Sequence, residues 1–492
     1  MNTLKRTLAL VATLAMSATA FASCGDKGSS STSEKATEAA TSANDEATTA
    51  GDAETTTVEP GTDGQMDPSI KQGGKEFTVV AWNADDVPYL IAQWKGLSYD
   101  TIVQDLADGK VEGVNANILN VKGGEAAENY DQLFNGGEDM DVYLVEADWA
   151  LKYINDDTKT LALSKLGLGD SDFADIYSYT DEIGKDKNGV RKGVSWQAAA
   201  GGFAYRADLA KEYLGAETPA DMQKQINNWD NFVAAAKTVS EKSSGSVALA
   251  DSLGGLWQAF ACGRTTPWVV DNKLQIDDSC KKFADTAKTL WECGGVTKNS
   301  QWTDEWTAAG VSGNAMGYFV STWGFGGFFL DAAGGEGGAQ YGKWNVCEGP
   351  QPFYWGGTWL VVNPNTDNGN EARDFILSAT SNYDQMSAYA KAKPEYVNNS
   401  KVMDDLISAN TVFNEKISGN FADKQNYFAE LANNATNIDF KGLITPYDAA
   451  VKADFSDVVK KEYLDGGKSW DDTVNAFKDK VAESCPDLEW ED

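Results

Sequence analysis

Three short, densely apolar runs, the first and third followed by a helix-forming stretch, constrain the fold of this chain more than any other feature. Residues 77–82 (FTVVAW), 114–121 (VNANILNV) and 141–145 (DVYLV) carry the β-branched and aromatic content of buried strands. Helical patterns follow the first at 89–94 and the third from 149 to 154. Strand and helix alternating at this spacing imply parallel βαβ units. The pattern resumes after Gly193, with Phe203-Ala204-Tyr205 as a strand, a helix at 208–214 and another around 229–239. Residues 447–482 read as helical, punctuated by Gly466-Gly467 and restarted by Ser469, an N-cap with acidic residues in the first turn. No short-period repeat is present. The body is therefore α/β with a helical tail, and 492 residues at 42% hydrophobic content suffice for a substantial core.

Everything before residue 76 has a different character. Lys5 and Arg6 precede an apolar stretch at 7–20 that has the length of a signal-peptide core and is short for a membrane span. Phe21-Ala22-Ser23-Cys24-Gly25 resembles a bacterial lipobox, in which the cysteine is diacylated and becomes the new N-terminus; Phe21 stands where Leu is usual. Ordinary cleavage nearby, leaving a soluble secreted protein, is the alternative. Residues 25–74 are rich in Ser, Thr, Ala, Gly and acidic residues and poor in large apolar ones, so they read as a tether that buries too little to fold. The expected layout is a signal peptide at 1–23, lipidation at Cys24, a disordered acidic linker over 24–75 and a folded body from 76. That places the protein on the extracytoplasmic face of the cell membrane, held by its lipid.

A formal net charge of −33 repels nucleic-acid phosphates, which excludes nucleic acid as a partner. The chain has no histidine, so Ser-His-Asp, Cys-His and HExxH chemistries are excluded with it. Apart from Cys24, the cysteines are Cys262, Cys280, Cys293, Cys347 and Cys485, with no CxxC pair; no metal and no cofactor is expected. Mostly free, buried thiols are expected, with Cys280 and Cys293 the nearest pair should a disulfide form.

Six further segments, in order, resemble the extracellular solute-binding proteins of ABC importers, in particular the sugar-binding, maltose-binding-protein-like group. They are the strand ending at Trp82-Asn83; residues 140–149 (MDVYLVEADW); Gly202 through Leu209 (GFAYRADL); Gly313 through Gly324 (GNAMGYFVSTWG); residues 355–362 (WGGTWLVV) with the stretch 372–377; and 467–474 (GKSWDDTV). Arg206-Ala207 departs from the usual Asn-Lys after the tyrosine, and 324–342 is unusually rich in glycine and aromatics. The resemblance implies a two-lobe periplasmic-binding-protein-like fold with a hinge and an interlobe ligand cleft. It places lobe 1 at 76–195 plus 357–440 and lobe 2 at 196–351 plus 441–492. It implies a monomer that closes on a small-molecule sugar and hands it to transmembrane permease subunits, with population shift rather than bond breaking as the mechanism.

Sixteen tryptophans is a generous number for one chain. Flat aromatic faces match the C–H faces of pyranose rings, and carboxylates or amides beside them bond hydroxyls. Candidate ligand residues are accordingly Trp82, Trp149, Trp196, Trp302, Trp323 and Trp355, with Trp82 and Trp323 placed at the cleft by the resemblance. The polar candidates are Asn83, Asp85 and Asp86 after the first strand, and Glu146 and Asp148 after the third, because ligands of open α/β sheets lie beyond the carboxyl ends of strands. Each aromatic has a packing role as its alternative, and Asp85 and Asp86 a helix N-cap. Trp302 and Trp306, four apart, would share one face of a helix. The glycines of 324–338 lack the spacing that cradles phosphate and read as a mobile loop at the cleft mouth. No catalytic residue is assigned. A peptide or other solute, a ligand-presenting sensor or adhesin, and a two-carboxylate glycoside hydrolase stay open as alternatives.

Overall fold

The computed structural model describes residues 64–490, so the expected signal peptide and Cys24 lie outside the described residues. Eleven strands form among the described residues: β1 (Phe77–Ala81), β2 (Val114–Ile118), β3 (Val142–Glu146), β4 (Gly193–Ser195), β5 (Gly201–Arg206), β6 (Ala248–Ala250), β7 (Val269–Val270), β8 (Lys273–Leu274), β9 (Ala315–Ser321), β10 (Trp344–Cys347) and β11 (Thr358–Val362). The first three coincide with the three runs read from the sequence. They build a five-stranded sheet in the order β2-β1-β3-β11-β4. Its interior strand β1 is buried at every residue and pairs in parallel with β2 and β3, whereas β2 buries only Val114, as suits an edge. The helix Val87–Lys95 carries Pro88 in its first turn and stops at Gly96, whose φ of 67° suits a residue without Cβ. It packs beside the helix Gly369–Thr380, where Phe77, Trp94 and Phe375 meet edge to face at 5.1–5.6 Å.

A second sheet has the order β10-β5-β9-β6. Here the expectation of parallel βαβ units is corrected. β5 runs antiparallel to both β9 and β10, and only β6 and β9 are parallel. β11 likewise runs antiparallel between β3 and β4. The reason is connectivity: β5 and β11 each enter their sheet from a strand of the other sheet, β4 and β10 respectively, not through a crossover helix on the same face. The helices Asp448–Val458 and Trp470–Ser484 close this lobe, with Phe455 and Phe477 packed on Trp268. Ser469 caps the second of them as expected, its hydroxyl accepting from the Asp472 amide at 3.1 Å.

Two expected boundaries shift. Residues 64–75, expected in the tether, lie on the first lobe: Met66 and Ile70 pack against its core, and the Asp67 amide donates to Lys165 O at 2.8 Å. Two apolar side chains in a polar stretch are enough to dock it. The helix Ala429–Asn437, expected in lobe 1, sits on the second sheet, with Asn434 Nδ2 donating to Gly201 O and to Glu348 O at 2.8 Å. Cys262, Cys280, Cys293, Cys347 and Cys485 are free. Cys280 and Cys293 stand at opposite ends of the helix Asp278–Cys293, about 20 Å apart at 1.5 Å of rise per residue, beyond the reach of a disulfide. No helix among the described residues is long and apolar enough to cross a membrane.

The lobes are joined by crossing segments that pair with one another. Residues 196–200 run between 353–355 and 396–398, through bridges Ala200 to Tyr354 and Gln197 to Val397. Ala199 takes a φ of 51°, and its carbonyl accepts from Trp355 N at 3.1 Å and Ser321 Oγ at 3.0 Å. A left-handed alanine held by one group from each neighbouring strand fixes where the lobes meet.

Candidate functional site

The carboxyl ends of β1 and β3 deliver the first lobe's polar candidates to one edge. Asn83 and Asp85 satisfy each other, Asn83 Nδ2 donating to Asp85 Oδ2 at 2.7 Å and Asp85 N to Asn83 Oδ1 at 3.2 Å. Asp86 stands at the N-cap position of Val87–Lys95 but caps nothing. Its Oδ1 accepts from Tyr389 OH at 3.1 Å instead. Burial, then the neighbouring Asp85, push the Asp86 carboxyl up to about 6.

Glu146 ends β3, with Oε2 accepting from the Asp148 amide at 2.9 Å. Burial and the Asp148 charge push it up to about 8. Asp148 forms an ion pair with Lys452, which belongs to the helix Asp448–Val458 of the second lobe. Burial works against the Lys452 charge, but Asp148 and Asp448 outweigh it and hold the ammonium protonated. Asp448, pushed up to about 6 by burial, accepts from Thr445 N and Oγ1, both at 2.7 Å.

The second lobe contributes rings. β9 runs into Thr322–Gly324, which places Trp323 beside Trp302, the two nearly parallel at 6.4 Å between centroids. Trp355 lies 5.3 Å from Trp323 and 5.7 Å from Trp302, and Trp323 Nε1 donates to Trp355 O at 2.8 Å. Trp302 holds a φ of 68°, a costly conformation for a bulky residue. It precedes the helix Asp304–Ser312 rather than sharing it with Trp306, which is buried and donates to Asp251 Oδ2 at 2.6 Å. The two lobes meet at Gly356, where a Cβ would sit 3.4 Å from Glu146 Oε1 and 3.7 Å from Trp323 Nε1.

Not every candidate reaches this place. Trp196 is fully buried in the core, so its expected ligand contact is corrected to a packing role. Trp149 is almost as deep, ringed by Tyr130, Tyr153 and Trp82 at 5.8–6.0 Å. Trp82 is half-buried and leans over Gly123, where the helix Gly123–Gly136 begins. The structure adds Lys452, Asp448, Lys393 and Glu395. Glu395 lies beside the first crossing and is 5% exposed; Gln197 Nε2 donates to its Oε2 at 3.3 Å, and burial, then Asp86, push it up to about 8. A cavity of about 440 Å³ lies elsewhere, lined by residues that include Leu151, Asn155, Thr445 and Tyr447 and by none of the candidates.

This two-lobe arrangement recurs in solved structures. An extracellular solute-binding protein of family 1 superimposes with a TM-score of 0.68 at 19% identity, over 85% of this chain and 100% of that one. The fold is that of the extracellular solute-binding proteins. The galacto-N-biose-/lacto-N-biose I-binding protein of an ABC transporter from Bifidobacterium longum, in complex with lacto-N-biose, gives 0.63 at 16% identity over 85% and 100%. The sugar-binding protein MalE from Xanthomonas citri gives 0.62 at 14% over 82% and 96%. No family model matches the sequence, and no curated protein matches it. In solute-binding-fold terms, β1 and β3 deliver carboxylates from one lobe and β9 delivers Trp323 from the other.

Proposed function

We propose that this chain is the substrate-binding component of an ABC importer, and that it captures an oligosaccharide by closing its two lobes. The observation that carries the reading is the convergence at Gly356, where a carboxyl from one lobe and a tryptophan cluster from the other face the same point. Neither half makes a sugar site alone; ring faces and hydroxyl acceptors are joined only when the lobes come together. The solved structures of this fold support the carbohydrate class, since two of them are described as binding proteins for sugars. Closure then acts as population shift, because ligand touching both lobes stabilises the closed state alone. We further propose that Cys24 carries the lipid that holds the protein outside the cell, and that the working form is a monomer delivering to permease subunits.

One observation favours a hydrolase as the second reading: Glu146, pushed up to about 8 by burial and the neighbouring Asp148, is a carboxyl of the kind that serves as a general acid, with a second carboxyl beside it. The Lys452 ammonium occupies Asp148, however, which ties up the group that would have to act as base or nucleophile. A thermal-shift screen of the purified protein against malto-, cello-, xylo- and manno-oligosaccharides tests both. A ligand at a hundred times its Kd adds about 2.7 kcal/mol of stability. A raised midpoint with the sugar recovered intact supports the binder; cleavage overturns it, and silence across all sugars removes the carbohydrate class.

A further inference from the structure

Asp251 is a buried carboxyl that ligand capture, as described so far, does not use. It follows β6, lies wholly out of solvent, and has hydrogen-bond donors rather than a cation as its partners. Ser252 Oγ and Trp306 Nε1 both donate to Oδ2 at 2.6 Å, and the Phe319 amide donates to Oδ1 at 3.4 Å. Burial raises the carboxyl to about 6 and these bonds work against the rise, so it is largely ionised at neutral pH. Keeping a charge this deep is costly, and an apolar side chain would fill the place without that cost. What the charge adds is directed bonding, since charge-assisted hydrogen bonds are about twice as strong as neutral ones.

The three donors belong to three elements. Ser252 caps the helix Leu253–Ala261, Phe319 lies in β9 upstream of Trp323, and Trp306 lies in the helix Asp304–Ser312. Trp306 is fixed at both ends, its indole by Asp251 and its carbonyl by Tyr318 OH at 2.7 Å. Its ring meets Trp302 edge to face at 5.2 Å, and Phe328 does the same from 5.3 Å. Trp302 in turn lies against Trp323 and Trp355 and keeps its φ of 68°. Such a backbone persists only where its surroundings over-determine it. Trp306 and Phe328 supply that constraint on the ring, and of the two only Trp306 carries a polar anchor.

We propose that Asp251 is a positioning residue of the sugar site: through the Trp306 indole it sets the place and tilt of Trp302, and with it the spacing of the rings offered to the ligand. This deepens the carbohydrate reading and rests on it. The test measures calorimetric Kd, for the malto-, cello-, xylo- or manno-oligosaccharide that the native protein binds tightest, together with melting midpoints. Trp306→Phe keeps a ring and removes the N–H donor, while Asp251 retains Ser252 and Phe319. Asp251→Ala removes the acceptor. Ser469→Ala lowers stability at a distant helix cap and serves as the control. Each of the first two variants should bind at least about threefold weaker, the double variant no weaker than the stronger single, and Ser469→Ala as native. A Kd within threefold of native in either single variant, effects that add in the double, or an equal loss in Ser469→Ala overturns the positioning role and leaves the carbohydrate reading standing. No binding of any sugar by the native protein overturns both. Should Asp251→Ala not fold, Trp306→Phe against Ser469→Ala decides alone by the same threshold.

Discussion

Replacing Lys452 by Met removes an ammonium that ties the second lobe to Asp148 of the first. The size of the effect follows from burial. The Lys452 side chain is 22% exposed and that of Asp148 36%, so the pair lies between two limits. Exposed pairs contribute about 0.2 to 1 kcal/mol, and breaking a fully buried pair costs about 3 to 5. About 1 to 2 kcal/mol is the working figure, a factor of roughly 5 to 30 in an equilibrium constant. The partners sit on different lobes, so this free energy favours closure. K452M should therefore populate open forms in the absence of ligand and weaken sugar binding by up to that factor, because apparent affinity scales with the closed fraction. Small-angle scattering of the free protein and calorimetric Kd values read the two effects. D148N and the double variant complete a cycle, in which the double should be no weaker than the stronger single. Unchanged Kd in K452M, or single effects that simply add, would refute the latch.

Stability should depend on pH in a defined direction. Glu146 and Glu395 near 8, and Asp86, Asp251 and Asp448 near 6, bind protons in the folded protein that the unfolded chain has already released. Their contribution is complete below about pH 4 and is lost as pH rises through 6 and then 8, so the melting midpoint should fall from pH 5 to 9. Glu395→Gln should flatten the upper part of that fall, by on the order of 5 kcal/mol at most, and superimposable native and variant profiles would count against it. Trp323→Ala should weaken oligosaccharide binding at least about tenfold by titration, since the ring leaves both its partners Trp302 and Trp355; a change under twofold removes Trp323 from the site. Gly201→Ala places a Cβ 2.1 Å from the Phe353 ring and should cost about 1 to 3 kcal/mol or more in urea unfolding. Ser469→Ala should cost about 1 kcal/mol in the same assay.

What could be read in advance follows the range of the interaction that decides it. β1 and β3 were legible because burial on both faces leaves a local mark, a run of Val, Tyr, Leu and Phe that no helix or loop needs. The direction of β5 and β11 left none, since a buried strand has the same composition whichever way its neighbours run. The cap at Ser469 was legible because donor and acceptor lie three residues apart, while Asp86 occupies the same kind of position and turns to a tyrosine 303 residues away. The site divides along the same line. Trp82, Glu146, Asp148 and Trp323 stand at strand ends, where the sheet itself predicts a ligand edge. Trp149 and Trp196 stand at similar positions and are packed inward, because tryptophan supplies the same apolar area to a core as to a sugar.

Glu395 and Lys452 could not have been found in that way. Each is unremarkable in its own segment, Glu395 after Lys393-Pro394 and Lys452 in the middle of an amphipathic helix. Their chemistry comes from partners in distant parts of the chain: Gln197 and Asp86 for the first, Asp148 for the second. All of these contacts lie where the lobes are joined or face each other, so they exist only once the chain has folded into two bodies and those bodies have met. A site assembled by closure should have this property. The residues that position ligand within one lobe carry a local signature, and the residues that govern closure do not. Substitution at Trp323 should accordingly weaken every sugar, whereas substitution at Lys452 should change how readily the lobes shut.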